Sequence, residues 1–212
     1  MSKKIAILGI HTDIGKTVTA AIMTEALHAD YWKPLQAGDL ENSDRIKVKR
    51  WITNKYSVIH PEAIKLLMPA SPHTAAAAEN CVFDFKKFQI PKTENTLLIE
   101  TAGGIFSPID DKNTMLDFVQ YFQWPVVLVS RNYLGSINHT LLCLDVLKQR
   151  GVKVLALIVN GKRNESSESF IKNYSNIEHI MYIKELATLD KEIVQDEAIH
   201  FRTQWERIGG IE

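Results

Sequence analysis

The chain has 212 residues, 45% of them hydrophobic, and its acidic and basic residues balance to a formal net charge of zero. This balance argues against the large basic surface of nucleic-acid-binding proteins, and no apolar run approaches the roughly 20 residues of a membrane span. Two cysteines without metal-ligand spacing indicate packed thiols in a reducing compartment. Because a strand pattern begins within a few residues of Met1, we expect no signal peptide and a cytoplasmic protein.

The first element carries the strongest functional signal. An apolar run at residues 5–8 predicts a buried strand, and a short loop then leads to Gly15, Lys16 and Thr17 at the start of a helical pattern over residues 16–29. A phosphate-binding P-loop requires this order of strand, loop and helix. Lys16 could reach the β and γ phosphates, and the Thr17 hydroxyl could hold Mg²⁺. The alternative is a strand-to-helix turn that contains Gly-Lys-Thr by chance.

Strand patterns alternate with helical patterns along the rest of the chain. Strands are predicted over residues 30–35, 96–100, 125–130, 152–160 and 179–183, and helices over residues 113–122, 136–149, 165–174 and 196–208. Strands that are nearly apolar throughout indicate a parallel sheet buried on both faces. Residues 39–92, which contain four prolines, are expected to form short helices and loops. The pattern predicts one α/β domain over residues 1–212: a doubly wound, mainly parallel sheet flanked by helices, of the P-loop NTPase type.

Polar residues follow several of these strands, and ligands gather at the carboxyl ends of strands in such a sheet. Glu100 could bind Mg²⁺ directly or through water, or cap the following turn. Gly103 could bring backbone N–H groups close to a transferring phosphate. Lys33 could stabilise charge on a transferred group or be a solvated surface residue. Asp44 could be a second metal ligand or a helix cap, and Asn160 could read a purine edge or support a turn.

Six motifs stand in a characteristic order. They are the loop from Gly9 to Thr17 with its five-residue gap between glycines, Lys33-Pro34 followed by Gly38, Asn42-Ser43-Asp44, Ser71-Pro72-His73, Glu100-Thr101-Ala102-Gly103-Gly104, and Leu134-Gly135-Ser136-Ile137-Asn138-His139. Together they resemble the dethiobiotin synthetase family, whose members use ATP to close the ureido ring in biotin synthesis. In three places the chain departs from the family pattern: His11 replaces Asp, Ala37 replaces Ser or Thr, and residues 180–186 lack the proline-containing pattern that the family uses near the base.

The resemblance implies a reaction in which 7,8-diaminononanoate, CO₂ and MgATP give dethiobiotin, ADP and phosphate. One substrate amine captures CO₂ as a carbamate, and a carbamate oxygen attacks the γ-phosphate to form a carbamic–phosphoric anhydride. The second amine then attacks the carbonyl, closes the ring and expels phosphate. Positioning and charge neutralisation suffice for this chemistry, because the substrate supplies both nucleophiles.

The resemblance also implies the site residues. Lys16 and Lys33 are implied as catalytic, and Thr17, Asp44 and Glu100 as ligands of Mg²⁺. Nucleotide contacts are implied at Asp13, Ile14, Gly15, Lys16, Thr17, Val18, Asp44, Glu100, Thr101, Ala102, Gly103, Asn160 and Gly161. Substrate contacts are implied at Thr12, Lys33, Ala37, Pro72, Ser136, Ile137 and Asn138.

A homodimer is implied by the resemblance alone. The residues themselves predict Ser136 as the N-cap of a helix, which leaves the N–H groups of Asn138 and His139 free to bind the substrate's carboxylate. This helix end could serve the partner subunit or its own subunit, or merely be capped.

Two other functions stay open. A P-loop ligase like the synthetase part of a cobyrinate amidase usually carries an additional glutaminase domain, for which 212 residues leave no space. A regulatory ATPase switch of the MinD or ParA type has a signature lysine two or three residues after the first glycine. The present loop has Ile10, His11 and Thr12 in that stretch.

Overall fold

The computed structural model describes residues 3–209, in which strands alternate with helices. The strands are β1 (Lys4–Gly9), β2 (Asp30–Trp32), β3 (Leu35–Ala37), β4 (Ile64–Leu66), β5 (Leu97–Glu100), β6 (Val126–Ser130), β7 (Val154–Asn160) and β8 (Ile180–Ile183). The helices are α1 (Lys16–Leu27), α2 (Asp44–Trp51), α3 (Pro72–Ala78), α4 (Met115–Tyr121), α5 (Ser136–Gln149), α6 (Glu165–Ser175) and α7 (Lys191–Arg207). None of these helices is long and apolar enough to cross a membrane.

Six strands form one parallel sheet in the order β2-β5-β1-β6-β7-β8. Every residue of β5 and β6 is buried, which is why their sequences are almost entirely apolar. The chain crosses β1 when it passes from β5 to β6, so the loops after these central strands open a crevice at the carboxyl edge. The predicted fold class, a doubly wound parallel sheet flanked by helices, is confirmed.

The prediction of one strand over residues 30–35 is wrong. The chain leaves the main sheet after β2, since Pro34 has no N–H group to continue the ladder. β3 then pairs in parallel with β4 in a separate two-stranded sheet. The sequence did not predict β4, because three residues in a proline-rich segment carry little periodic signal. The small sheet matters for function because it places Gln36 and Ala37 beside the carboxyl edge of the main sheet.

A buried carboxylate ties α1 to α2. Glu25 of α1 accepts hydrogen bonds from the backbone N–H and hydroxyl of Thr53 at 2.7 and 2.6 Å, and from the backbone N–H of Asn54 at 3.0 Å. Thr53 lies just beyond the end of α2. This contact fixes the helix that begins at Asp44 against the helix that begins at Lys16. The two cysteines are free thiols, Cys143 buried and Cys81 half-buried, as predicted.

Candidate active site

The loop between β1 and α1 has the backbone geometry of an anion site. Gly15 is the N-cap of α1 with φ of 98°, a conformation that favours glycine, and a Cβ atom there would also force the side chain of Asn160 to move. The Lys16 ammonium is buried and donates to the carbonyl oxygen of His11 at 3.1 Å. Burial lowers the pKa of Lys16 to about 8, although the charge of Glu100 opposes this. Lys16 therefore lies over its own loop, as a phosphate-binding lysine does.

Glu100 is buried at the end of β5, and three side chains donate to its carboxylate. Thr17 Oγ1 lies 2.8 Å and Lys33 Nζ 3.5 Å from Oε1, and Tyr31 Oη lies 2.7 Å from Oε2. Burial raises the pKa of Glu100, and the charge of Lys33 opposes the rise. Since these partners are side chains from other elements, the turn-cap interpretation of Glu100 is wrong.

Lys33 lies between two carboxylates and is 7% exposed, so its interpretation as a solvated surface residue is wrong. Its Nζ forms ion pairs with Asp44 and Glu100. Burial opposes the charged ammonium, but the two carboxylates outweigh burial and raise the pKa of Lys33. The structure thus favours the first of the two predicted roles of Lys33, in which its charge acts within the site.

Asp44 is the first residue of α2, whose N-cap is Ser43, so the helix-cap interpretation of Asp44 is also wrong. Its carboxylate faces Lys33 and also lies 3.5 Å from Nζ of Lys47, which in turn lies 3.0 Å from Asp39. Burial works against ionisation of Asp44, but Lys33 holds its pKa below the usual value. The Asp44 carboxylate is therefore charged, and it faces the same ammonium group, that of Lys33, as the Glu100 carboxylate does.

A cavity of about 790 Å³ opens beside these residues, and we call it the first cavity. Most predicted site residues line it: Thr12, Asp13, Gly15, Lys16, Thr17, Val18, Lys33, Ala37, Asp44, Pro72, Glu100, Ala102 and Gly103. Sequence reasoning did not single out other lining residues, among them Gln36, Lys47, Trp51 and Ser107. Lys47 and Trp51 follow Asp44 at helical spacing, and that signal could have identified them.

Four predicted nucleotide contacts lie outside the lining of the first cavity. Ile14 and Thr101 are buried, and the Thr101 hydroxyl donates to the carbonyl oxygen of Ile7 at 3.0 Å. Asn160 Nδ2 lies 3.4 and 3.5 Å from the carbonyl oxygens of Gly15 and Ile14, which agrees with its supporting role at a turn. Gly161 follows it with φ of 96°. Recognition of a purine by Asn160 stays a prediction.

Ser136, Ile137 and Asn138 line a second cavity, of about 780 Å³, and not the first. The prediction of Ser136 as N-cap is wrong, because Gly135 with φ of 98° takes that position and Ser136 begins α5. The N–H group of His139 donates to the Gly135 carbonyl at 3.2 Å, so it is not free as predicted. Of the two N–H groups predicted to be free for the substrate's carboxylate, only that of Asn138 stays a prediction.

Residues from the start of α6 form the other wall of the second cavity. Lys162, Arg163, Asn164 and Ser167 line it. The Arg163 guanidinium pairs with Glu168 at 2.8 Å and lies 3.6 Å from the ring centre of Tyr182. Two of the positively charged residues of the chain thus border the cavity that the predicted carboxylate site faces.

The oxygen donors of the first cavity suit Mg²⁺. The Thr17 hydroxyl and the carboxylates of Asp44 and Glu100 are hard ligands, and Mg²⁺ in nucleotide sites uses one or two carboxylates with phosphates and water. Within residues 3–209 no group of three or more His, Cys, Asp or Glu side chains is arranged to hold a metal. An Mg²⁺ ion held by the predicted ligands would therefore share them with the nucleotide's phosphate oxygens.

Known proteins resemble this chain along almost its full length. A curated protein of Christiangramia forsetii, named ATP-dependent dethiobiotin synthetase BioD, is 44% identical over 202 residues, which make up 95% of this chain and 97% of the relative. This chain belongs to the dethiobiotin synthetase family. A second family member, from Cytophaga hutchinsonii, is 41% identical over 96% of this chain and 98% of its own length. A family model described as an AAA domain matches residues 3–193.

Two solved structures of low sequence identity share the fold of this dethiobiotin synthetase family member. A protein described as a plasmid partition protein from Borrelia burgdorferi, bound to AMPPNP, aligns with a TM-score of 0.56 at 13% identity, over 98% of this chain and 97% of that one. A chain of the MinC:MinD cell division complex from Aquifex aeolicus aligns with a TM-score of 0.54 at 14% identity, over 100% of this chain and 97% of that one. These likenesses confirm the predicted P-loop fold.

Two of the departures from the dethiobiotin synthetase pattern, His11 and Ala37, fall in different surroundings. His11 is exposed, and its Nδ1 lies 2.7 Å from the carbonyl oxygen of Thr12. Ala37 lines the first cavity, so a hydroxyl that the family pattern usually supplies there is replaced by a methyl group. The neighbouring Gln36 uses its amide to bind the carbonyl oxygen of Gly38 at 2.9 Å.

Proposed function

We propose that this chain is an ATP-dependent dethiobiotin synthetase, which converts 7,8-diaminononanoate, CO₂ and ATP to dethiobiotin, ADP and phosphate. One observation carries the proposal: Lys16, Lys33, Asp44 and Glu100 line a single cavity at the P-loop, in a chain that spans 97% of a curated synthetase. The whole chain acts as one domain, and we place the enzyme in the cytoplasm.

The lysines stabilise the charge that moves during phosphoryl transfer. Backbone N–H groups of the P-loop and Lys16 bind the triphosphate, while Lys33 and Thr12 contact the substrate carbamate. A carbamate oxygen attacks the γ-phosphorus as the bond to ADP breaks. The second amine then attacks the carbamate carbon, and phosphate leaves as the ring closes. No side chain has to act as a nucleophile, because the substrate supplies both attacking groups.

Thr17, Asp44 and Glu100 would hold Mg²⁺, which neutralises charge on the phosphate oxygens when bound. The same carboxylates pair with Lys33 in this structure. A cation shared between Asp44 and Glu100 would take over this pairing and leave the Lys33 ammonium available to an anionic substrate. The paired lysine is therefore consistent with a role that begins when nucleotide and metal are present.

We also propose a homodimer in which Ser136, Ile137 and Asn138 bind the substrate's carboxylate across the interface. These residues lie in the second cavity, apart from the lysines of the first. Leu134, beside them, is fully exposed, and Leu142 on α5 is 57% exposed. An exposed leucine that lines the second cavity, with another on α5, supports a surface that another subunit covers.

The test is incorporation of label from ¹³C-bicarbonate. Wild-type protein with MgATP and diaminononanoate should place the label in the ureido carbonyl of dethiobiotin and release one phosphate for each product. Omission of diaminononanoate is the control and should abolish labelled product. Phosphate release without labelled dethiobiotin would contradict the proposal and indicate an ATPase switch, whereas amide formation on a carboxylate substrate would indicate an amidase-type ligase.

A further inference from the structure

Tyr31 is a buried residue of the site that the proposed reaction does not use. It lies on β2, two residues before Lys33, and side chains two residues apart in an extended segment face the same side. β2 pairs in parallel with β5, where Tyr31 is opposite Leu98, two residues before Glu100. This register brings the phenol of one strand to the carboxylate at the end of the next. Tyr31 Oη donates to Glu100 Oε2 at 2.7 Å, with both groups buried.

The two oxygens of Glu100 therefore have different partners. Oε2 accepts from Tyr31, whereas Oε1 accepts from Thr17 at 2.8 Å and lies 3.5 Å from Lys33 Nζ. Thr17 and Lys33 line the first cavity, and Tyr31 is not among its lining residues. Oε1 is thus the oxygen on the side where a cation could be held, and Oε2 is the oxygen on the protein side.

The hydrogen bond from Tyr31 also satisfies an oxygen that the fold has removed from water, since Glu100 is 1% exposed. A buried carboxylate oxygen without a donor is costly, and the carboxylate would turn to avoid that state. The hydroxyl of Tyr31 therefore favours the observed orientation of the Glu100 carboxylate.

We propose that Tyr31 is a positioning residue of the metal site, which holds Oε2 of Glu100 so that Oε1 alone faces Thr17 and the divalent cation. The inference rests on the proposed function insofar as the site binds a metal with the nucleotide. Partners that orient a metal ligand typically change metal affinity about 10- to 100-fold when they are removed.

The experiment compares wild type with Tyr31→Phe, which keeps the ring and removes the hydroxyl. Mn²⁺ binding to the complex with a non-hydrolysable ATP analogue, followed by electron paramagnetic resonance, should weaken about 10- to 100-fold. Analogue binding in EDTA should not change. In the activity assay the Mg²⁺ concentration for half-maximal rate should rise, while kcat at saturating Mg²⁺ recovers.

Thr24→Val is the matched control, because it also removes a buried hydroxyl, from a residue of α1 that does not line the first cavity. It should bind Mn²⁺ like wild type. In a Glu100→Gln background, Tyr31→Phe should cause no further loss of Mn²⁺ affinity, because the carboxylate that it positions is gone.

Three results would overturn the proposal: wild-type Mn²⁺ affinity in a folded Tyr31→Phe variant, an equal loss of analogue binding in EDTA, or failure of that variant to fold, which would assign Tyr31 to stability. Failure of the proposed function looks different. Wild type would then form no labelled dethiobiotin, while metal and nucleotide binding could still be measured.

Discussion

The two cavities differ in how complete they are within one chain. In the first, Lys33 forms ion pairs with Asp44 and Glu100, and the hydroxyl groups of Thr17 and Tyr31 donate hydrogen bonds to Glu100. In the second, Leu134 is fully exposed beside the start of α5. Contacts within this chain therefore hold the side chains of the first cavity in place, whereas the second cavity borders an exposed apolar residue, as a surface that binds another molecule does.

Their positions in the sheet explain this difference. The first cavity lies where β1 meets β5, at the centre of the sheet, so side chains from several elements enclose it. The second lies at the starts of α5 and α6, outside the strands β6 to β8. We therefore expect changes in the first cavity to affect catalysis and metal binding, and changes in the second to affect the binding of substrate.

The largest effect should come from Lys16→Ala. Loss of the ammonium removes charge stabilisation of the transferring phosphoryl group, and dethiobiotin formation should fall by about 10²-fold or more. The fold should persist, because Lys16 makes its side-chain hydrogen bond to a carbonyl oxygen of its own loop. Lys49→Ala on the exposed face of α2 is the control and should keep its activity. Near wild-type turnover by folded Lys16→Ala would contradict the P-loop assignment.

Asp44→Asn and Glu100→Gln should next raise the Mg²⁺ requirement, each by about 10- to 100-fold, because both remove a charged oxygen ligand and should cost at least as much as the loss of a residue that positions one. The measurement is the rate of dethiobiotin formation as Mg²⁺ is titrated at saturating ATP. Both variants also leave Lys33 with a single carboxylate partner, so their melting temperatures are needed beside the kinetics. Wild-type Mg²⁺ titrations for both variants would show that the carboxylates are structural.

Asn138→Asp tests the second cavity. A negative charge near the substrate's carboxylate should raise the KM for diaminononanoate by about fivefold and leave kcat and the Mg²⁺ requirement unchanged. If subunits share sites, a mixture of this variant with Lys16→Ala should restore up to about a quarter of wild-type activity at low substrate, because each mixed dimer holds one intact site.

Subunit exchange between differently tagged copies is the control for the mixing experiment. Exchange without any recovery would place each site within one chain. That result would reverse the comparison, since the second cavity would then serve its own subunit.

The smallest effect should come from Glu25→Gln, which weakens the contact between α1 and α2 beside the first cavity. Burial opposes ionisation of Glu25, but hydrogen bonds from Thr53 and Asn54 outweigh it and hold the pKa of Glu25 below its usual value. This contribution to stability is present above the pKa of the unfolded chain and is lost as pH falls through the lower pKa of the folded chain. Glu25→Gln should cost about 1–3 kcal/mol near neutral pH.

Urea denaturation at a series of pH values measures this cost. The difference between wild type and Glu25→Gln should shrink as pH falls below the usual pKa of a glutamate. A difference that stays constant down to acidic pH would show that the charge of Glu25 does not stabilise the contact between α1 and α2.

The sequence by itself determined the fold class, the P-loop and the order of the site segments. Apolar strands and helical spacing are local patterns, and most predicted elements lie within a few residues of the observed ones; α5 matches over its full length. The motif around Lys16 could be identified because its chemistry depends on neighbours within the same loop. Pro34 was visible as well, but its effect, a separate sheet of β3 and β4, depends on residues 64–66, which carry no comparable signal.

Only the tertiary structure decided how distant residues pair. Thr17 and Glu100 are 83 positions apart, and Tyr31 and Glu100 are 69 apart, so no local pattern connects them. The sequence left open whether Lys33 is solvated or buried, and the pairing of β2 with β5 decides this. The sequence also predicted Ser136 at the same substrate site as Lys33, whereas in the structure Ser136 lines the second cavity. Strand register and helix packing set these contacts, because burial of a charged group is decided by the elements that surround it.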